Sequence, residues 1–298
     1  MRHSIVLTIL AATLVLSAAS TRRWGEHGHT IAARAAVAAL PDEMPAFFRD
    51  AAEQLVYLNP EPDRWRGGNA RGADRAMDAA GAPEHFIDLE LLPAARRDGI
   101  LRAPDRFAFA DSLRRIGERA QTVGVLPFTM LEYSQRVRTG FQAWRRARSA
   151  EQRAFIEARI INDAGILGHY VTDASNPAHT TIHFNGWSGR NPKGYATDNR
   201  FHSRFESAFV QAHVRQNDLT PLIAREPRTF PDLRSAILAH ITESNALVER
   251  LYELDKAQPF SVDDRRPEAK AFAATRLAAG AQMLRDLWWS AWVASAAP

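Results

Sequence analysis

The run Ile166-Leu-Gly-His169-Tyr-Val-Thr-Asp173-Ala-Ser-Asn-Pro-Ala-His179 holds the most informative group of reactive side chains in the sequence. On a helix, His169 and Asp173 are four residues apart and project from one face. Pro177 ends such a helix, which places His179 on the loop that emerges from it. Downstream, His202 and Glu206 repeat the four-residue spacing. A rigid helix face presenting an imidazole and a carboxylate one turn apart chelates a hard or borderline metal ion. Taken singly, such a pair is more often a surface ion pair. Two of them in apolar-flanked helices, joined by a Gly-rich loop with a further histidine, favour a metal site. Spacing alone names neither the metal nor the reaction.

These residues need a scaffold, and the periodicity is helical nearly throughout, with no convincing alternating strand. We therefore expect an all-α protein, a single multi-helix domain. Helices are predicted over 30–40, from Pro41 onward, and over 105–119, 127–148, 150–175, 200–216, 231–256 and 266–296. The stretches 59–81 and 176–199 are rich in Gly, Pro, Asn and charge, and read as long loops beside a site. Leu284, Leu287, Trp288, Trp289 and Trp292 form a stripe that belongs to core packing.

The bulk composition restricts the chemistry. At 298 residues and 46% hydrophobic, the chain can bury a substantial core. A net charge of +4 invites a nucleic-acid or anionic-surface reading. Its lysines are only Lys193, Lys256 and Lys270, however, so Arg and Ala richness reads as compositional bias, and Arg145, Arg146 and Arg148 as a solvated helix face. With no cysteine, disulfides are excluded and metal ligands are limited to His, Asp, Glu and backbone groups. The start of the chain has a polar Arg2-His3, an apolar run from Ile5 to Leu16, and small residues from Ser17 to Ser20. That is the pattern of a cleavable secretory signal. We expect residues 1–23 to be signal and short pro-stretch, residues 24–298 the functional domain, and the product exported to the periplasm or secreted. No later run of eighteen apolar residues predicts a transmembrane segment in the mature chain.

Two further segments extend the site: Trp24-Gly-Glu-His-Gly-His29 and Pro83-Glu-His85-Phe-Ile-Asp88. With them, His-Tyr-x-x-Asp-x-x-x-Pro-x-His followed by Phe-His-x-x-Phe-Glu resembles the superfamily of zinc-dependent phospholipase C enzymes and single-strand-specific zinc nucleases. The motif order matches from Trp24 to about Val210. The resemblance implies an all-helical hydrolase of phosphate esters with up to three zinc ions at the bottom of a cleft. It implies one zinc on Asp63, His85, His169 and Asp173, and a second on His179, His202 and Glu206. The third would use the amino and carbonyl groups of Trp24, with His29 and a bridging Asp173. Asp74 and Asp78 are alternatives to Asp63, which aligns only through Asn-Pro-Glu-Pro-Asp-Arg-Trp-Arg. Asp88 would orient a ligand histidine or contact substrate. Asp63 and Asp173 are the candidate catalytic residues, with Asp63 as a base and Arg66 as a phosphate contact.

The small-residue rule places signal cleavage after Ala19 or Ser20, leaving Thr21-Arg22-Arg23 ahead of Trp24. Full use of the Trp24 amine then requires a second trimming step; otherwise the third zinc is held differently or is absent. Features within the family point both ways. The Phe201–Glu206 segment is similar to the bacterial phospholipase C branch, and the Trp24-to-His29 spacing to the nuclease branch. The expected substrate is a phospholipid, with a single-stranded nucleic acid or a nucleotide as the alternative; no protein partner is evident. A reading of another class is a helical zinc-binding protein without catalysis. His27, His183, His213 and His240 are not required as ligands, and Phe184 and Trp187 read as loop packing beside His179.

Overall fold

Ser149 begins the element that matters most: its side chain accepts from Gln152 N (3.1 Å) and caps a helix running to Ser175. Asp105 and Asp232 cap two other helices in the same way, while Pro127 and Pro267 sit in first turns, where a missing N–H costs nothing. The structure, a computed structural model, describes residues 25–66 and 74–296, and every regular element among them is helical.

In chain order these are α1 (Gly25–Ala38), α2 (Ala46–Asp50), α3 (Ala52–Leu58), α4 (Glu61–Arg64) and α5 (Arg75–Gly81). Then come α6 (Arg97–Leu101), α7 (Arg106–Arg114), α8 (Ala120–Val123) and the long α9 (Leu126–Arg145) and α10 (Ala150–Ser175). The remainder comprises α11 (Phe201–Ser203), α12 (Val210–His213), α13 (Gln216–Leu219), α14 (Leu233–Asn245), α15 (Val248–Ala257) and α16 (Pro267–Ala294). A π-helix, Arg204–Phe209, separates α11 from α12.

Helix α10 is the centre of the molecule, packed against α9, α16 and α3. Its C-terminal half is buried without interruption from Ala164 to Ser175, so it has no solvent face there. Two glycines let α3 close onto it. A Cβ on Gly165 would lie 2.5 Å from Leu58 Cβ, and one on Gly168 would lie 2.4 Å from Asn59 Nδ2. The aromatic stripe of α16 is core, as its spacing predicts: Trp288 packs on Phe48 (5.3 Å) and donates to Ala164 O (3.2 Å). No helix among the described residues is long and apolar enough to cross a membrane.

Several element boundaries depart from the predicted ones; the helix expected from Pro41 begins only at Ala46, and the one expected over 105–119 ends at Arg114. The stretch 59–81 is not uniformly irregular, since α4 and α5 interrupt it, and Asp74 caps α5 by accepting from Ala76 N (2.7 Å). The predicted helix over 231–256 is divided at Ala246 and Leu247 into α14 and α15. The predicted helix over 200–216 holds the π-turn, a distortion that recurs at functional sites and leaves no mark in apolar periodicity.

Candidate metal centre

The C-terminal half of α10 carries His169 and Asp173 into the core, where polar groups need partners. The partners arrive from six other segments. α1 supplies His29, α4 supplies Asp63, and the 3₁₀ turn Ala82–His85 supplies His85. The 3₁₀ turn Pro177–His179 supplies His179, α11 supplies His202, and the π-helix supplies Glu206. They form three buried groups able to hold a metal ion: His29, His169 and Asp173; Asp63, His85 and His169; and His179, His202 and Glu206. Within each group the ligand atoms lie within 4.8 Å of one another. Apart from the alternatives Asp74 and Asp78, every ligand candidate named from the sequence is thus brought together, except Trp24, which lies outside the described residues.

Asp173 joins the groups. Its Oδ2 lies 3.1 Å from His85 Nδ1 and 3.2 Å from His169 Nε2. Its Oδ1 lies 3.5 Å from His29 Nε2 and 3.7 Å from His179 Nδ1. His179 Nε2 in turn faces Glu206 Oε1 at 3.1 Å, and His202 Nε2 faces Glu206 Oε2 at 2.8 Å.

An outer layer fixes how the rings point. His169 Nδ1–H donates to Asn59 O (2.9 Å), His179 Nδ1–H to His85 O (2.7 Å) and His202 Nδ1–H to Phe184 O (2.9 Å). His29 Nδ1–H donates to Asn59 Oδ1 (3.0 Å). Carbonyl oxygens only accept, so each of these rings keeps a proton on Nδ1 and turns its Nε2 inward. The backbone ties the two 3₁₀ turns together, since Ile87 N also donates to His179 O (2.9 Å). Glu84 anchors the first turn by accepting from Tyr170 Oη (3.1 Å) and Arg106 (2.9 Å). Asn176 caps the second turn through Ala178 N (3.0 Å) and donates from Nδ2 to Glu206.

These donors fit a divalent cation. His29 Nε2, His202 Nε2 and Glu206 Oε2 are buried with no hydrogen-bond partner. The last two are close but out of line for a hydrogen bond. Converging lone pairs with no donor between them repel one another, and a cation converts that repulsion into coordination. The set is nitrogen and oxygen only, the donor chemistry of a hard or borderline divalent ion.

Burial opposes charge on His179, but Asp173 and Glu206 outweigh it and raise its pKa to about 9. His169 is also raised, against its burial, chiefly by Asp173. Burial lowers His29 and His85, with His169 adding to the effect. Burial works against ionisation of Asp173 and Glu206, yet the surrounding histidines hold both carboxyls below the usual range. Metal uptake therefore displaces protons.

The remaining sequence candidates lie elsewhere. Asp74 caps α5 and Asp78 pairs with Arg66 (3.4 Å), so neither stands in for Asp63. His27 Nε2 donates to Val214 O, His213 Nε2 donates to Ser261 O, and His183 stacks on Trp187 at 3.9 Å. His240 is buried on α14, outside all three groups. A narrow pocket reaches the cluster, lined by His85, His179 and His202 together with Arg66, Phe86, Asp88 and Phe184. Sequence reasoning missed Asn59 and Asn176. Asn176 was legible as an Asn-Pro step after the helix, and Asn59 as an Asn at a helix end, but neither signal points to a metal. No family model matches this chain, and neither curated proteins nor solved structures give a match, so the chain is placed in no family by comparison and its site geometry carries the functional reading.

Proposed function

We propose that this chain is an exported zinc-dependent hydrolase of phosphate esters, phospholipase C-like, of the zinc phospholipase C and nuclease superfamily. One observation carries the reading: ligand histidines of two different groups, His85 and the pair His179 and His202, line one pocket that also holds Arg66. A structural zinc site is closed by its own ligands, whereas a catalytic one keeps a position open towards substrate. Bound divalent ions would supply Lewis acidity towards the phosphate and a water of lowered pKa.

The chain's own residues do the rest. Arg66 stands at the pocket wall, where its guanidinium can pair with a phosphate oxygen. Phe86 and Phe184 give the pocket apolar walls. Asp63, buried on α4 beside His85 and His169, is both a ligand candidate and a candidate proton acceptor.

The test is hydrolysis of phosphatidylcholine vesicles and of single-stranded DNA, side by side, by zinc-loaded protein beginning at Trp24. Diacylglycerol release without DNA cleavage supports the phospholipase reading. Mononucleotides without lipid cleavage move the chain to the nuclease branch. Zinc binding with neither product, and a fold that melts on chelation, would make it a binding protein instead.

A further inference from the structure

Asn59, fully buried at the C-terminal end of α3, addresses two ligand histidines at once. Its backbone oxygen accepts from His169 Nδ1 and its side-chain oxygen from His29 Nδ1. The two rings stack, with centroids 4.0 Å apart and planes 11° from parallel. They turn their Nε2 atoms to different oxygens of one carboxylate, His29 to Asp173 Oδ1 and His169 to Oδ2. His29 Nε2 has no hydrogen-bond partner, whereas Nδ1–H meets the side-chain oxygen of Asn59.

The amide Nδ2 is buried without a hydrogen-bond partner and is positioned by shape alone. The missing side chain of Gly168 leaves the space that Asn59 Nδ2 occupies, 2.4 Å from where a Cβ would be. Gly168 directly precedes the ligand His169, so one helix turn both presents a ligand and makes room for the residue that orients it.

We propose that Asn59 is a positioning residue for one metal position, its side chain holding His29 in register with His169 on either side of Asp173. The proposal rests on the metal-dependent reading above. His169 belongs to two of the three groups and His29 to one, so the side chain of Asn59 governs one position and its backbone both. Removing an outer partner of a ligating histidine costs about 10–100-fold in metal affinity.

The experiment measures zinc content and stepwise zinc affinity, by competition with a chromophoric chelator, in the full chain and its Asn59→Ala, Asn59→Asp and Gly168→Ala variants. Asn59→Ala is expected to weaken one ion by about 10–100-fold and leave the others unchanged. Asn59→Asp still offers an oxygen to His29 Nδ1–H and restores binding. The His29 Nδ1–H resonance, read by NMR on zinc-free protein, is lost in Asn59→Ala and kept in Asn59→Asp. A residue that merely supports packing would lower stability without separating one ion from the rest. Unchanged zinc binding in Asn59→Ala, or equal loss in the Ala and Asp variants, overturns the proposal. Should Asn59→Ala fail to fold, Gly168→Ala, whose methyl displaces the amide, carries the same expectation and the same refutation. A parent protein that binds no zinc removes the metal reading, and the positioning role with it. A zinc-binding parent matched by Asn59→Ala removes the positioning role alone.

Discussion

Stripping metal from this protein is expected to cost it a large part of its stability. Without a cation, Asp173 and Glu206 stay buried among histidines, and His29 Nε2, His202 Nε2 and Glu206 Oε2 stay unpartnered. Each group occupied at a free-ion concentration a hundred-fold above its Kd stabilises the fold by about 2.7 kcal/mol. The three groups together then contribute about 8 kcal/mol if all are filled. At roughly 2 °C per kcal/mol for a large domain, chelation should lower the thermal midpoint by on the order of 15 °C. The assay is thermal unfolding followed by tryptophan fluorescence, in buffered zinc and in excess chelator, with zinc added back in a third sample. The drop should reverse on re-addition, and it should shrink in Asp173→Ala, which removes the carboxylate that touches four of the histidines. A midpoint that moves by less than about 2 °C between zinc and chelator would refute the assignment of these residues to a metal centre.

Three further outcomes are expected. Because His179 titrates near 9 in the metal-free cluster, its proton competes with metal. Zinc affinity should therefore fall as pH drops below about 9, roughly tenfold per unit for each proton displaced, and calorimetry in buffers of different ionisation heat should register proton release; a flat affinity between pH 7 and 9 would contradict this. His169→Ala and Asp173→Ala should each abolish hydrolysis of the substrate identified by the side-by-side assay, and near-normal turnover in either folded variant would sink the hydrolase reading. Gly165→Ala places a methyl 2.5 Å from Leu58 Cβ, with no flexible side-chain tip to yield, and should cost about 1–3 kcal/mol in urea unfolding.

The all-helical class, α10 and the ligand residues on it were legible because helices write themselves into sequence locally. Apolar spacing, the Ser149 cap and the Pro177 stop each act within a few residues. His169 with Asp173, and His202 with Glu206, could be paired for the same reason, being neighbours in sequence. What stayed out of reach depends on distant segments meeting. Asn59 addresses His29 across 30 residues and His169 across 110, and no local pattern encodes either hydrogen bond. The choice of Asp63 over Asp74 and Asp78 was decided by where α4 and α5 pack, since all three are acidic residues in one stretch of unremarkable spacing. The π-turn that carries Glu206 to His179 and His202 likewise leaves no mark in the local sequence pattern. Sequence determined which residues can bind a metal and which helices carry them. Only the tertiary packing of α1, α3, α4 and the two 3₁₀ turns around α10 decided that their lone pairs converge, because that convergence arises between elements and is written in none of them alone.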